Sequence, residues 1–340
     1  MTPTARIHRG TPRNLARLAA RLRAGGLVAV PTETVYGLAA DATSARACRR
    51  IFAAKGRPAN DPLIVHIASL RDLARVSRPN AAALKLARKF WPGPLTIVLP
   101  KTGEVPDIVT AGLPSVAVRM PAHPLFRRLI RLAGRPLAAP SANPFGSVSP
   151  TTAEHVRKSL GSRIRDILDG GPARIGLEST IVDLRDPSRP AILRPGAITA
   201  VEISRLLRTR LVRARGPGRG KAQAQAAPGR MARHYSPRTP LFLHPRLSAA
   251  QVARGRPDEA WLFIARPAGI GGPNVFWLAA GGDVRGAARS LFSTLRRIDE
   301  AGFRILHAER APCGGLGDAL NDRLTRAAAR DPSPKRLRRP

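Results

Sequence analysis

The stretch from residue 27 to 58 reads LVAVPTETVYGLAADATSARACRRIFAAKGRP and predicts a strand, a turn and a helix in that order. Residues 27–30 form a short apolar run typical of a buried strand, and the proline and threonines after them predict a turn. Ser44 is placed to cap a helix that ends at the KGRP segment, residues 55–58. The stretch therefore predicts the basic unit of an α/β domain.

Helices and short apolar strands alternate through the first two thirds of the chain. Thr11, which stands before a proline, predicts the start of the first helix. Two capping boxes, Thr151 with Glu154 and Thr199 with Glu202, predict the starts of later helices. Another helix is predicted over residues 80–91, and strands are predicted over 63–67, 95–99, 116–118 and 137–139. The predicted fold class is α/β, with a twisted mixed sheet and flanking helices.

A change in composition marks a second unit. Residues 212–230 are rich in Arg, Gly, Pro, Ala and Gln and lack hydrophobic periodicity, which is typical of a linker. Beyond them a second, smaller α/β domain is predicted, with strands at 261–264, 275–278 and 303–306 and helices at 284–300 and 316–329. The predicted organisation is a first domain over 10–208, a linker over 209–238, a second domain over 239–330 and a basic tail over 331–340.

The composition is strongly basic. The 340 residues contain 58 Lys and Arg against 22 Asp and Glu, a formal net charge of +36, which favours polyanions as partners. Because 51 of the 58 are Arg, a GC-rich coding bias explains the same numbers equally well. Two cysteines, Cys48 and Cys313, are too few for a disulfide framework, and no apolar run suits a membrane span or a secretion signal. We therefore expect a globular, cytoplasmic protein without a membrane partner.

Polar residues at predicted strand ends are the candidates for chemistry. The sequence has no P-loop, dinucleotide-binding, nucleophile-elbow or HExxH motif. Ligands in open α/β sheets bind where strands end, which is where Arg119 stands and where it would suit a carboxylate. Lys55 and Arg57 at a helix end suit a polyphosphate, although cations at that position also cap helix carbonyls.

Other candidates have equally ordinary interpretations. Ser141 and Asn143 lie beside proline and are common turn residues. His66 lies in an apolar strand, where a histidine is more often a hydrogen-bonded core residue than a ligand. None of these residues decides the function alone.

The order of the short polar segments is more informative than any one of them. Those of the first domain are PTETVYGLA (31–39), KGRPANDPLIVHI (55–67), WPGPLT (91–96), VAVRMP (116–121), APSAN (139–143), SVSPT (147–151), GLESTIVD (176–183) and ILRPGAIT (192–199). Two more follow, APGRMARHYSP (227–237) and GLGDALNDRL (315–324). In order and spacing they resemble the threonylcarbamoyl-AMP synthase family, specifically its two-domain Sua5 form with a YrdC-like catalytic domain.

This resemblance implies an ATP-dependent synthesis by nucleotidyl transfer and a Rossmann-like C-terminal domain. L-threonine and bicarbonate or CO2 give N-carboxythreonine, whose carboxylate attacks the α-phosphorus of ATP. The products are threonylcarbamoyl-AMP and pyrophosphate, and Mg²⁺ accompanies ATP. Other tRNA-modification proteins then use the product to make N6-threonylcarbamoyladenosine at tRNA position 37.

By motif position, the resemblance also implies which residues form the site. The threonine pocket consists of Thr34, His66, Arg119, Ala139 and Ser179. The ATP site consists of Lys55, Arg57, Asp61, Ser115, Ser141, Asn143, Ser149, Arg194 and Tyr235. Lys55 and Arg57 are expected to be the catalytic residues, because nucleotidyl transfer depends on positioning and on neutralising phosphate charge. No protein nucleophile, general base or protein-held metal is assigned, since the carbamate oxygen is already anionic.

Three features depart from the family pattern. Asp61 stands where the family usually has Asn, and a carboxylate near phosphates repels them unless it contacts ribose, adenine or Mg²⁺. Ser115 replaces a common Thr and keeps its hydroxyl. The linker carries additional basic residues, and we expect residues 212–237 to form a lid that brings Tyr235 to the nucleotide.

Two other functions stay open from the sequence. The first is a module that binds double-stranded RNA or tRNA and retains a vestigial nucleotide site; the charge favours it, whereas an aromatic content of 4% argues against stacking on single strands. The second is the carbamoyl transfer of the related hydrogenase-maturation proteins. Those proteins carry acylphosphatase-like and zinc-finger-like modules, which this chain with its two cysteines does not match.

Overall fold

A computed structural model describes residues 4–213, 227 and 234–329, which form two sheets with helices packed on them. The strands are β1 (Arg6–Arg9), β2 (Val28–Val30), β3 (Gly37–Asp41), β4 (Ile64–His66), β5 (Leu95–Pro100), β6 (Ser115–Arg119), β7 (Leu137–Ala138), β8 (Asp166–Asp169), β9 (Thr180–Asp183), β10 (Ala191–Arg194), β11 (Val212–Arg213), β12 (Leu241–His244), β13 (Glu259–Ala265), β14 (Val275–Ala279) and β15 (Ile305–Glu309). The helices are α1 (Pro12–Arg23), α2 (Ala45–Lys55), α3 (Leu73–Val76), α4 (Ala81–Phe90), α5 (Asp107–Thr110), α6 (Pro124–Ala133), α7 (Ala153–Leu160), α8 (Ala200–Leu207), α9 (Ala249–Arg254), α10 (Val284–Ala301) and α11 (Leu316–Ala327).

The first sheet is mixed. Its strand order is β1-β8-β2-β3-β7-β4-β6-β5-β9-β10-β11. Strand β6 pairs in parallel with β4 and antiparallel with β5, and β5 pairs in parallel with β9. Helices α1 and α6 pack together on one side, and α2, α4 and α7 contribute to the core on the other. The predicted α/β class with a mixed sheet and flanking helices is confirmed.

Side-chain alternation in the central strands separates core residues from candidate site residues. In β4, Val65 belongs to the large core, whereas the neighbouring Ile64 and His66 face a cavity on the opposite side. In β6, Val118 points into that core and Arg119 lines the same cavity. The period of two therefore brings the polar residues at the strand ends onto one face of the sheet.

Most of the predicted helix starts are confirmed. The side chains of Thr11 and Ser44 accept hydrogen bonds from backbone N–H groups in the first turns of α1 and α2, and the capping box at Thr199 is complete. The predicted box at Thr151 is wrong. Helix α7 begins one residue later because the Thr152 hydroxyl accepts the His155 N–H at 3.1 Å. Each cap stabilises its helix by about 1 kcal/mol.

The second sheet has four parallel strands in the order β12-β15-β13-β14. Helices α10 and α11 bury apolar residues against it, which confirms the predicted smaller α/β domain. The last strand lies at Ile305–Glu309 rather than at 303–306, because Phe303 is only partly buried and packs beside the core before the strand begins. Val35, Val148 and Leu177 of the first domain belong to the same apolar cluster as α10 and α11.

Several sequence expectations fall outside the described residues. Within the ranges given above, no helix is both long enough and apolar enough to cross a membrane. The greater part of the predicted lid and the whole basic tail from residue 331 lie in segments that the structure does not describe. The parts of the predicted lid that are described are β11, Ala227 and the segment from His234 onward.

Candidate functional site

The predicted site residues converge on a cavity of about 50 Å³ at the face of the first sheet. Eight of the fourteen line it: Thr34, Arg57, His66, Arg119, Ala139, Ser141, Arg194 and Tyr235. Five more lie behind its wall and are bonded to a wall residue or to each other: Lys55, Asp61, Asn143, Ser149 and Ser179. Residues that are far apart in the sequence are therefore gathered into one place.

Ser115 is the residue that the cavity does not include. It shares a face of β6 with Arg119 but stands four residues earlier, about 13 Å along the strand. Its hydroxyl is buried and makes no hydrogen bond to any residue that the structure describes. The assignment of Ser115 to the ATP site stays a prediction, which an extended ligand running along the sheet would satisfy.

Lys55 ends α2, and its side chain leaves the helix. Gly56 adopts a left-handed conformation with φ of 62°, which stops the helix at a position where a side chain would be strained. The Lys55 ammonium then donates to the carbonyls of Ser141 and Asn143, each at 2.5 Å. It therefore does not cap the carbonyls of its own helix. Burial lowers the pKa of Lys55 well below its ordinary value; Arg57 lowers it further, and Asp61 opposes both.

Arg57 and Asp61 form a buried ion pair. Arg57 Nη2 lies 2.9 Å from the Asp61 carboxylate, and the guanidinium also donates to the carbonyls of Asp61 and Pro62. Burial lowers the pKa of Arg57, and the charge of Asp61 partly offsets that effect. The departure at position 61 thus has a local explanation, because its carboxylate compensates a buried guanidinium and holds it at the cavity wall.

Arg194 approaches the start of β9. It donates to the backbone carbonyl of Ser179 at 3.0 Å and to the Ser179 hydroxyl at 3.1 Å. That hydroxyl lies 2.7 Å from Thr96 Oγ1. The approach depends on Gly196, where a Cβ atom would lie 2.4 Å from the backbone nitrogen of Thr180. Glycine in the ILRPGAIT segment therefore lets its arginine reach Ser179.

Arg119 is held by three protein groups at the other end of the cavity. Its Nη2 lies 2.7 Å from Glu33, its Nη1 donates to the Thr34 hydroxyl at 3.0 Å, and its Nε donates to the Gly93 carbonyl at 3.2 Å. Thr34 is held in turn by Thr32, whose hydroxyl lies 2.8 Å away. A guanidinium fixed in this way keeps further N–H groups for a ligand carboxylate.

His66 is a neutral group beside this guanidinium. Burial, followed by the charge of Arg119, lowers the pKa of His66 to about 3. Its ring lies 5.3 Å from that of Phe126, so one side of the imidazole is packed against the core. Because His66 also lines the cavity, it can contact a ligand without carrying charge at neutral pH.

The C-terminal end of the predicted lid closes the cavity. His234 and Tyr235 line it and are buried, and Tyr235 has a φ of 62°, a left-handed conformation that costs a residue with a side chain about 1–2 kcal/mol. The Tyr235 ring stacks on Phe292 of α10 with centroids 5.5 Å apart. With this cover in place, the enclosed volume is far below the roughly 300 Å³ at which pockets for sizeable ligands begin.

Glu178 links the cavity wall to the second domain. Its Oε1 accepts a hydrogen bond from the Ser149 hydroxyl at 2.6 Å, and its Oε2 accepts one from Arg323 Nε at 2.9 Å. Arg323 belongs to α11, and its side chain is completely buried. The ring of Tyr235 lies over the same guanidinium, with its centroid 5.3 Å from Cζ.

A dedicated metal cage is not among the features of the described part of the chain. Within residues 4–213 and 234–329, no three His, Cys, Asp or Glu side chains are arranged to hold an ion. The carboxylate of Asp61 is engaged by Arg57. Mg²⁺ carried by a triphosphate would need few protein ligands, because this ion usually keeps several waters and takes most of its other ligands from phosphate.

Three contributors to the site received no role from the sequence. Glu33 pairs with Arg119, Glu178 joins Ser149 to Arg323, and His234 covers the cavity beside Tyr235. Glu33, Glu178 and His234 lie in the segments PTETVYGLA, GLESTIVD and APGRMARHYSP, and Arg323 lies in GLGDALNDRL. Their position in these segments was the available signal. The partners of Glu178 are distant in the sequence, since Ser149 is 29 residues away and Arg323 is 145 residues away.

Known families cover nearly the whole described chain. Residues 20–196 match the family described as "Telomere recombination", which comprises Sua5, YciO and YrdC sequences. Residues 198–329 match the family described as "Threonylcarbamoyl-AMP synthase, C-terminal domain". The two matches meet between β10 and α8, and together they include every residue discussed above as part of the site.

Individual relatives match over both domains. The threonylcarbamoyl-AMP synthase of Pyrococcus abyssi is 42% identical over 316 residues, which cover 90% of this chain and 92% of that protein. The threonylcarbamoyl-AMP synthase of Bacillus subtilis is 39% identical over 338 residues and covers 92% of each chain. The crystal structure of P. abyssi Sua5 complexed with L-threonine superposes with a TM-score of 0.87 at 40% identity, covering 95% of this chain and 98% of that one.

Proposed function

The chain belongs to the Sua5/YrdC family of threonylcarbamoyl-AMP synthases, enzymes of N6-threonylcarbamoyladenosine biosynthesis, and from this premise we propose the reaction that it catalyses. The substrates are L-threonine, bicarbonate or CO2, and ATP, and the products are threonylcarbamoyl-AMP and pyrophosphate. The proposal rests chiefly on one observation: Arg119, suited to a carboxylate, and Arg57, suited to a phosphate, line the same cavity.

The phosphate half of the site is electrostatic. Lys55 and Arg57 approach the cavity from the end of α2, and Ser141 forms the adjoining wall. Their proposed catalytic role is to neutralise the charge that develops as pyrophosphate leaves the α-phosphorus. Mg²⁺ is proposed to enter with ATP and to supply further charge neutralisation on the phosphates.

The amino-acid half of the site selects and orients L-threonine. Arg119 is proposed to bind the α-carboxylate, and Thr34, His66, Ala139 and Ser179 to surround the rest of the molecule. The amine adds to CO2 and releases a proton to give a carbamate, and one carbamate oxygen forms a bond to the α-phosphorus while the bond to pyrophosphate breaks. Because that oxygen is already anionic, the proposed role of the protein is to position the reactants.

The cover formed by His234 and Tyr235 supports a gating role for the linker. The cavity beneath it holds about 50 Å³, so ATP cannot enter while Tyr235 is buried there. We propose that the segment opens to admit ATP and returns so that Tyr235 contacts the bound nucleotide. Closure would keep bulk water away from the reactive adenylate until release.

The proposed partners follow from the product. Other tRNA-modification proteins in the cytoplasm would take threonylcarbamoyl-AMP and transfer its threonylcarbamoyl group to tRNA. Direct binding of tRNA or double-stranded RNA is also supported by the charge of +36. A purely RNA-binding role with a vestigial nucleotide site is less well supported, because side chains of both substrate halves line one cavity.

A substrate-dependence assay tests the proposed function. The purified protein is incubated with Mg²⁺, ATP, L-threonine and isotopically labelled bicarbonate, and pyrophosphate and adenylates are followed by mass spectrometry. We expect pyrophosphate only when threonine and bicarbonate are both present, together with an adenylate that contains threonine and the bicarbonate label. Pyrophosphate formation that is independent of threonine would contradict the assignment.

Nucleotide binding is expected to be linked to proton uptake by Lys55. Burial keeps the pKa of Lys55 well below its ordinary value in the free protein, whereas a neighbouring triphosphate favours the charged ammonium and raises that pKa. A group whose pKa rises on binding takes up a proton at any pH between its two values.

Calorimetric titration with a non-hydrolysable ATP analogue in buffers of different ionisation enthalpy measures this uptake. The wild-type protein should take up more protons than the Lys55→Met variant, which has no titratable group at this position. Equal uptake by the two proteins would mean that Lys55 does not change its protonation state when the nucleotide binds.

A further inference from the structure

A completely buried arginine of the second domain contacts the first domain. Arg323 of α11 donates through Nε to Glu178 Oε2 at 2.9 Å and through Nη1 to the carbonyl of Pro195 at 3.0 Å. It is also held by Asp322 of its own helix, whose Oδ2 accepts from Nη1 at 2.8 Å. A buried guanidinium needs such partners, because an uncompensated charge in the interior is strongly unfavourable.

Each contact that Arg323 makes outside its own helix leads to a residue of the proposed ATP site. Glu178 uses its second oxygen to accept the Ser149 hydroxyl at 2.6 Å. Pro195 directly follows Arg194 in the chain, and the Tyr235 ring lies over the guanidinium at 5.3 Å. One side chain from the second domain therefore contacts three segments of the proposed ATP site: the segment before β9, the segment after β10 and the end of the linker.

The amino-acid half of the site has no comparable support. The contacts that fix Arg119 come from Glu33, Thr34 and Gly93, all in the first domain. Among the described residues, no hydrogen bond or ion pair joins Thr34, His66 or Arg119 to residues 239–329. Through hydrogen bonds and ion pairs, the second domain is thus coupled to the nucleotide half of the site.

On this basis, and resting on the proposed function, we propose that Arg323 is a positioning residue for ATP: by fixing Glu178 and supporting Tyr235, it lets the second domain complete the nucleotide half of the site. Glu178 accepts from Ser149 with one oxygen while Arg323 holds the other, so the carboxylate orients the serine hydroxyl toward a single partner. Without Arg323, the buried Glu178 carboxylate loses its ion-pair partner and turns toward other donors, so the Ser149 hydroxyl and the Tyr235 ring lose contacts that orient them.

The test measures nucleotide and amino-acid binding separately in the full-length protein. Arg323→Met removes the charge at similar length, and Arg323→Lys keeps the charge but loses the fork that reaches Glu178 and Pro195 together. For each protein, calorimetry gives the Kd for a non-hydrolysable ATP analogue and the Kd for L-threonine, and steady-state kinetics give KM for ATP.

A matched control disrupts a different ion pair between the domains. Lys158 of α7 and Glu300 of α10 lie 3.0 Å apart at the exposed surface, away from the cavity. Glu300→Gln removes this pair and is expected to leave both dissociation constants within about twofold of wild type, since exposed pairs contribute little.

We expect Arg323→Met to raise the Kd for the nucleotide at least about tenfold, because charge-assisted hydrogen bonds are lost, and to leave the Kd for L-threonine within about twofold of wild type. The nucleotide Kd of Arg323→Lys should lie between those of Arg323→Met and wild type. Should Arg323→Met fail to fold, Arg323→Lys alone still decides: an unchanged nucleotide Kd, or an equal loss for both ligands, would overturn the positioning role. Wild-type protein that binds ATP and L-threonine but does not join them would overturn the proposed function while the binding data still test Arg323.

Discussion

Replacing Lys55 by Met is expected to lower kcat for threonylcarbamoyl-AMP formation by a factor of about 10² to 10³, the usual cost of removing one preorganised charge from a developing anion. Lys55 lies behind the cavity wall and is fixed by two backbone carbonyls, those of Ser141 and Asn143. It therefore needs little reorganisation to meet a departing pyrophosphate. Stopped or continuous pyrophosphate assays at saturating ATP and threonine measure the change directly.

The same substitution also removes a donor from two buried carbonyls, so a lower Tm is expected as well. Lost buried hydrogen bonds of this kind cost about 1–3 kcal/mol. Lys101→Met is the matched control, because Lys101 likewise donates to a backbone carbonyl, that of Val105, but lies outside the cavity. If Lys55→Met and Lys101→Met reduce kcat to the same small extent, Lys55 is structural and has no part in the chemistry.

Replacing Arg119 by Lys is expected to weaken L-threonine binding by about tenfold to a hundredfold, in line with about 1.5–3 kcal/mol for hydrogen bonds to a charged group. Lysine keeps the charge but cannot contact Glu33, Thr34 and Gly93 together while presenting N–H groups to a carboxylate. The nucleotide Kd should stay unchanged, because Lys55 and Arg57 act at the other end of the cavity. Calorimetry with each ligand alone tests both statements.

Two further variants make this result specific. Arg135→Lys is the control, since Arg135 pairs with the buried Asp41 at 2.7 Å in a region outside the cavity. Glu33→Gln leaves Arg119 in place but removes its counter-charge, and a smaller loss of threonine affinity is expected. A threonine Kd that is unaffected by both Arg119→Lys and Glu33→Gln would show that the carboxylate binds elsewhere.

The sequence predicted the α/β class because helix caps and apolar runs are local signals. It missed β3, where Gly37–Asp41 is buried throughout and consists mainly of Gly and Ala, so that neither alternation nor β propensity marks it. It also missed β1 at Arg6–Arg9, a short polar strand at the edge of the sheet. Short strands of this kind form because a neighbouring strand offers backbone hydrogen bonds, which is tertiary information.

The candidate site could be predicted as a set of residues but not as a set of contacts. The segments that resemble the family contain thirteen of the fourteen residues, and Ser115 directly precedes one of them. The segments do not reveal which of these residues contact one another. Lys55 finds its carbonyl partners 86 and 88 residues away, and Arg323 finds Glu178 at a separation of 145. The sequence did not explain why an acidic residue stands at position 61. The structure does, because Asp61 forms an ion pair with Arg57.

The apolar cluster shared by Val35, Val148 and Leu177 with α10 and α11 has a consequence for how the molecule denatures. Chains with two domains commonly melt in separate steps, each with its own enthalpy. Here, separating the two domains would expose apolar surface on both, so unfolding of one domain destabilises the other. Heating should therefore produce one endotherm, and occupancy by either substrate should shift it as a whole to higher temperature.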